Sequence, residues 1–233
     1  MNFKKIYNLI CENKDQEIVL VYPGRFQPPS LNHLNTLYAA ITDMLKYIND
    51  NTLDHLNVII STSDSHKEDK SPFDFAAKKE IWQTHLENNP YKFKQDVPTT
   101  IIYNIVKNPK PYDIYNLIEN GPNSANYAKL DTKAVVIVGE SDKSRFKDND
   151  YFIPFTNDVS NLNSYKDNSY IWIIDDVTKI KVDGNDIILR GHIVRQMLKD
   201  AIKAGDTEYQ QAFKLVFGWY DEDIAKSVKG ILS

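Results

Sequence analysis

One cysteine, Cys11, stands among the 233 residues. No intrachain disulfide can form, and a reducing compartment fits that usage. No apolar run approaches the length of a membrane span, and the first residues carry no signal-peptide core. A cytoplasmic protein without membrane contact is therefore the expectation. Glycine is scarce, with 8 residues, and neither a Gly/Ser-rich nor a Pro-rich stretch marks a linker. With no internal repeat either, a single domain over residues 1–233 is expected, its core at about 17–200 and a helical C-terminal extension at about 205–233. Excess positive charge is missing. The net charge is −4 and the pI about 5.7, which argues against general nucleic-acid binding and leaves room for a local basic pocket. No His or Cys lies at metal-ligand spacing, so no protein-held metal site is expected. What is there, 42% hydrophobic and 26% charged residues, is an ordinary globular composition.

Hydrophobic periodicity assigns the elements. Phe3, Ile6, Tyr7 and Ile10 predict a short amphipathic helix over residues 3–13. Apolar runs predict strands at 17–22, 56–61, 99–103, 134–138 and 170–174. Helices are predicted at 31–48, 73–86 and 111–119, the first carrying Leu34, Leu37, Tyr38, Ile41, Met44 and Leu45 on one face. Residues 147–168, rich in Asn, Asp and Tyr, read as a long loop, and residues 190–232 as about three helices parted at Gly205-Asp206 and Gly218. Strands alternating with helices predict an α/β fold, a doubly wound parallel sheet covered on both faces. The unbroken apolar run at 134–138 suits a strand buried on both sides.

The first strand–helix junction reads Tyr22-Pro23-Gly24-Arg25-Phe26-Gln27-Pro28-Pro29-Ser30-Leu31-Asn32-His33. A helix start after a parallel strand offers unpaired N–H groups and partial positive charge, and there α/β proteins hold phosphates. Gly24 lets backbone approach a ligand, and Pro28-Pro29 stiffen the chain. Ser30 suits an N-cap, or its hydroxyl can donate to a phosphate oxygen. His33 falls in the first helical turn, beside any anion held at the helix start. A plain strand-to-helix turn with a capping Ser and a surface His is the alternative.

This stretch resembles the signature of the HxGH-type nucleotidyltransferases, the cytidylyltransferase-like superfamily that includes nicotinamide-mononucleotide and phosphopantetheine adenylyltransferases. Residues 24–28 match the GRFQP form of the nicotinamide-mononucleotide adenylyltransferases letter for letter. The tetrad departs from the pattern: Ser30-Leu31-Asn32-His33 stands where the family has His-x-Gly-His, and only the last His is kept. The resemblance implies a Rossmann-like nucleotidyltransferase fold. It also implies that His33 is catalytic, stabilising the α-phosphate during an in-line attack that expels pyrophosphate. Gly24, Arg25, Phe26 and Ser30 would then line the nucleotide. Ser30 can replace one hydrogen bond of the missing His, not its charge.

Two further motifs follow in the family's order. Val138-Gly139-Glu140-Ser141-Asp142-Lys143-Ser144-Arg145-Phe146 resembles the post-strand VGxD loop, which implies Gly139 and Asp142 on the nucleotide-facing rim. Capping of a helix start by Ser141 or Asp142 is the alternative. The run is not a P-loop, because it lacks the glycine ahead of Lys143-Ser144. Leu189-Arg190-Gly191-His192-Ile193-Val194-Arg195 resembles the ISxTxxR element, with Arg190 and His192 in the Ser and Thr positions. That implies Arg195 neutralising the β- and γ-phosphates, with Arg190, Gly191 and His192 binding nucleotide. Cations at a helix start oppose the macrodipole unless an anion lies between them; the alternative is that they face solvent. Lys67 to Phe73 with Lys78-Lys79 reads first as a solvated charge run, with the resemblance implying basic residues near the substrate phosphate as the alternative, and Asp175-Asp176 reads as a commonplace strand-end pair rather than metal ligands.

The resemblance covers about residues 17–200 and implies adenylyl transfer from ATP, or another nucleoside triphosphate, to a small phosphate-bearing acceptor such as nicotinamide mononucleotide. Mg2+ would be carried by the nucleotide. Ser30, Asn32, Arg190 and His192 all alter phosphate-handling positions. The competing expectation is therefore a degenerate member that binds nucleotide, or serves a structural or interaction role, without turnover. The oligomeric state is open, a homo-oligomer included.

Overall fold

The computed structural model describes residues 17–48, 55–64, 70–89, 100–122, 131–146, 150–175, 179–182 and 185–233. The helix expected at 3–13, Lys67 and Asp176 lie outside them. Six strands form one parallel sheet: β1 (Ile18–Gly24), β2 (His55–Thr62), β3 (Thr100–Lys107), β4 (Lys133–Gly139), β5 (Phe152–Pro154) and β6 (Ser169–Ile174). Their spatial order is β3-β2-β1-β4-β6-β5. The first helices are α1 (Leu31–Tyr47), α2 (Phe75–Asn88) and α3 (Ile114–Asn120), and a 3-10 helix over Glu140–Phe146 follows β4. An antiparallel hairpin, β7 (Lys179–Val182) and β8 (Asn185–Ile188), leads into α4 (Gly191–Ala204), α5 (Asp206–Phe217) and α6 (Glu222–Leu232).

The double winding follows from the period-two direction of strand side chains. Along β1, Ile18, Leu20 and Tyr22 enter one buried cluster with Leu34, Leu37, Ile41 and Met44 of α1. Val19 and Val21 enter another with Ile114, Leu117 and Ile118 of α3. Both faces of β1 are apolar, so both must be covered, and a parallel sheet with helices on each side does so. The α/β fold expected from the sequence is the one observed. The strand order reverses between β1 and β4, which opens a crevice beyond their carboxyl ends.

The helices of the tail break at Gly205 and Gly218, as the sequence reading has it. Two elements differ. The long loop expected at 147–168 holds β5, whose three residues are too few for periodicity to reveal. The β7–β8 hairpin was not expected, because its short strands read as polar. Among the described residues no helix is long and apolar enough to cross a membrane.

Helices α4 to α6 build a third buried cluster, with Val194, Leu198, Phe213, Phe217 and Val228 joined by Phe73 and Ile81. Leu31, the first residue of α1, packs against it, so this bundle stands directly behind the first junction. A polar bond also ties the bundle to α2. Trp219 Nε1 donates to Nδ1 of the fully buried His85 of α2 at 2.9 Å. Burial pushes the His85 pKa down to about 3, so the imidazole is neutral and can accept that bond.

Replacing Trp219 by Phe keeps most of the ring and orphans His85 Nδ1. A loss of about 1–3 kcal/mol is expected in urea unfolding at neutral pH. Acid should weaken the wild type before any carboxylate titrates. His85 gains its proton near pH 6.5 in the unfolded chain and only near pH 3 in the folded one. The unfolded state therefore binds more protons as the pH falls below 6.5, and stability declines. A Trp219→Phe protein as stable as the wild type would remove this bond from the framework.

Candidate functional site

The crevice holds a cavity of about 440 Å³. One wall is the end of β1 and the loop after it, Gly24 to Gln27, continued by Asn32, His33 and Thr36 of α1. The facing wall is Gly139 at the end of β4 with Asp142 and Arg145 of the 3-10 helix. Arg190, Gly191, His192 and Arg195, from the start of α4, close it, and Lys70 and Tyr112 reach its rim. Residues from three distant sequence motifs thus meet around one space.

His33 is the most constrained side chain in it. The backbone N–H of Ser30 donates to its Nδ1 at 3.0 Å, and Ser30 Oγ lies 2.9 Å from the same nitrogen. A nitrogen that accepts from a backbone N–H carries no proton, so the neutral ring bears its hydrogen on Nε2. The imidazole takes the place that Glu or Gln holds in a capping box. Burial pushes its pKa down to about 4, against the opposing pull of the Asp142 carboxylate. At neutral pH His33 is therefore an uncharged donor on the cavity wall.

Phe26 supports it from below. Its ring is 4% exposed and meets His33 edge-on at 5.1 Å, with Tyr22 and Trp82 each at 5.2 Å. The backbone of Phe26 sits at φ +41, a region costly for a non-glycine residue and characteristic of functional turns. A Cβ added at Gly24 would lie 2.5 Å from Phe26 Cζ. Gly24 is thus required by the Phe26 ring, whereas the sequence suggested approach of a ligand. Ser30 also differs from its expectation. It is fully buried behind His33 and does not line the cavity, so its hydroxyl acts on the imidazole rather than on a bound group.

Positive charge dominates the rest. Arg195 Nη1 donates to the Gln27 carbonyl at 2.7 Å. That approach needs Gly191, where a Cβ would lie 3.0 Å from the same oxygen. Burial and the charge of Arg25 both push the Arg195 pKa down, which shows that the two guanidinium groups repel one another across the cavity. Asp142 is the one carboxylate among the described lining residues, and it is paired with Arg145 Nε at 2.6 Å. Arg145 also lies 4.9 Å above the Tyr112 ring. Arg190 and His192 are exposed at the mouth. Among the described residues no group of three or more His, Cys, Asp or Glu could hold a metal ion.

The helix starts show where that charge is meant to be balanced. Asp74, Asp113 and Asp221 cap α2, α3 and α6, and α5 carries Asp206 and Glu208 in its first turn. Acid there answers the positive end of the helix dipole. The two helices that open on the cavity have none: Ser30 caps α1 and Arg190 caps α4, with no acid in either first turn.

The site also contains residues the sequence reading did not single out. Arg145 carried a usable signal, three positions after Asp142 on a helical turn, the spacing of a side-chain pair. Gln27 lay inside the GRFQP run and Lys70 inside the stretch at 67–73, but what each does here depends on segments far apart in the chain. Lys78, read as part of a solvated run, is fully buried and donates to the Ser63 carbonyl.

No family model matches the sequence, and no curated protein matches it. Solved structures do resemble the fold. A bifunctional NMN adenylyltransferase/ADP ribose pyrophosphatase from Francisella tularensis superposes with a TM-score of 0.52 at 14% identity, over 93% of this chain and 50% of that one. The chain thus spans about half the length of that protein. A nicotinic acid mononucleotide adenylyltransferase from Plasmodium falciparum, complexed with NaAD, gives 0.46 at 14% identity over 91% and 94% of the two chains. A nicotinate-nucleotide adenylyltransferase from Vibrio parahaemolyticus, itself described as putative, gives 0.43 at 10% identity over 85% and 91%. The likeness is one of fold: a six-stranded parallel sheet flanked by helices.

Proposed function

We propose that this protein is a nucleotidyltransferase that moves an adenylyl group from ATP to a small phosphate-bearing acceptor such as nicotinamide mononucleotide. The observation that carries this reading is the lining of the cavity, where Arg25 and Arg195 face one space with His33 at the start of α1, and the single lining carboxylate among the described residues, Asp142, is paired with Arg145. A polyphosphate would supply negative charge between those guanidinium groups. Further support comes from the GRFQP run at 24–28. The NMN adenylyltransferase named for the Francisella tularensis structure favours the nicotinamide acceptor.

In this reading an oxygen of the acceptor phosphate attacks the α-phosphorus of ATP, the bond from that phosphorus to the bridging oxygen breaks, and pyrophosphate leaves with the electron pair. No covalent enzyme intermediate is needed. Catalysis rests on alignment and on donors aimed at developing charge. His33 donates Nε2–H to a non-bridging α-phosphate oxygen, and Arg25 and Arg195 neutralise the leaving β- and γ-phosphates. The lone lining carboxylate is committed to Arg145, so the donor set suits Mg2+ arriving on the phosphates rather than a cage of side chains. Ser30 in place of the first family His favours one other reading, nucleotide binding without turnover, because the cavity has one imidazole fewer to carry charge.

Two measurements bear on this. Pyrophosphate release, followed with ATP and with CTP across a panel of phosphate acceptors, should identify a reacting pair. His33→Ala should then lower turnover by about a hundredfold or more while changing nucleotide affinity far less. Calorimetric binding without release under any pairing would select the non-catalytic reading. The second concerns the His33 proton. A polyanion beside the ring favours its charged form, so saturating ATP should raise the His33 pKa from about 4 in an NMR titration. A pKa that ATP leaves unmoved would take His33 out of the phosphate site.

A further inference from the structure

We propose that Gln27 is a positioning residue of the anion site, whose side chain holds Lys70 at the cavity rim by pinning the segment before α2. Gln27 is 6% exposed, and its amide makes a reciprocal pair with one backbone unit. Nε2 donates to the Phe73 carbonyl at 2.9 Å, and Oε1 accepts the Phe73 N–H at 3.0 Å. A side-chain amide here does what a neighbouring strand would do, satisfying both polar groups of a residue whose own ring is fully buried. Lys70 stands three positions before that anchor and lines the cavity.

The main chain of the same residue serves the opposite wall. Its carbonyl accepts from Arg195 Nη1 at 2.7 Å and sets the closest approach of Gly191. Gln27 therefore joins three separate segments, and each brings cations to the cavity: the loop with Arg25, the stretch with Lys70, and the start of α4 with Arg190 and Arg195. The two connections use different atoms. Any residue at position 27 keeps the carbonyl that meets Arg195, so changing the side chain isolates the arm that ends at Lys70. Charged groups converging on an empty space repel one another, and only covalent or hydrogen-bonded tethers hold them ready. For Lys70 the tether is this amide pair.

The inference rests on the reading of the cavity as a polyphosphate site. It is tested by a double-mutant cycle on binding of inorganic triphosphate, measured calorimetrically for wild type, Gln27→Met, Lys70→Ala and the double variant. Losing an amine–phosphate contact should cost about tenfold or more in affinity. Gln27→Met should weaken binding by about tenfold where Lys70 is present and by less than about twofold in the Lys70→Ala background, the signature of one residue acting through another. Equal losses on both backgrounds would overturn the role while leaving the anion site intact. A wild type that binds no triphosphate would overturn the cycle and the nucleotide reading together. Should Gln27→Met not fold, Gln27→Asn keeps a neutral amide but is one methylene too short to reach both polar groups of Phe73. It should show the same dependence on Lys70 and faster hydrogen exchange at the Phe73 amide; unchanged exchange would reject the tether.

Discussion

Like charges must be held close together at the end of this sheet, and the bond from Arg195 to the Gln27 carbonyl is what makes that arrangement possible. Arg195 lies on α4, a helix with two duties. Val194 and Leu198 are buried in the C-terminal cluster, while Arg195 turns to the cavity. Hydrophobic burial on one side thus supplies the free energy that keeps a guanidinium near its neighbours on the other. The glycine at 191 and the loop carbonyl set the distance.

The altered first motif takes on a physical meaning in this frame. The signature this run resembles has a His at position 30; here a buried serine hydrogen-bonds the imidazole of His33 instead. The result is a single His with its tautomer fixed by Ser30 and its ring set by Phe26. The start of α4 carries Arg190 where the resembled element has Ser, so the two helix starts that open on the cavity differ in charge.

Much of this was legible in the sequence. Unbroken apolar runs revealed β1 and β4, buried on both faces, and helical spacing of apolar residues revealed α1. The bundle was legible from Gly205 and Gly218, since helices in an exposed tail need explicit stops. Three site motifs were found as local strings, and the fold brought His33, Asp142, Arg190 and Arg195 to one cavity. What stayed hidden depends on partners distant in the chain. The reciprocal amide pair of Gln27 with Phe73 spans 46 positions, and the His85–Trp219 bond spans 134. Neither leaves a pattern in a window of ten or twenty residues. For Ser30 the sequence offered an N-cap or a phosphate donor, and it is the N-cap of α1; that its hydroxyl faces the adjacent ring is decided by rotamer and burial, which composition does not encode.

The 168 positions between Gln27 and Arg195 also set an order of events in the life of the chain. During synthesis β1, β2, β3 and β4 leave the ribosome long before α4 exists, and nothing yet closes the cavity. Until α4 docks, Arg190 and Arg195 are missing from the cavity wall, so anything held between the walls can stabilise the fold only after that step. A chain interrupted before α4 would keep its sheet-forming strands and expose the apolar backs of α1 and α2. Helices α4 to α6 thus serve both as the seal of the cluster behind α1 and, through the start of α4, as one wall of the cavity.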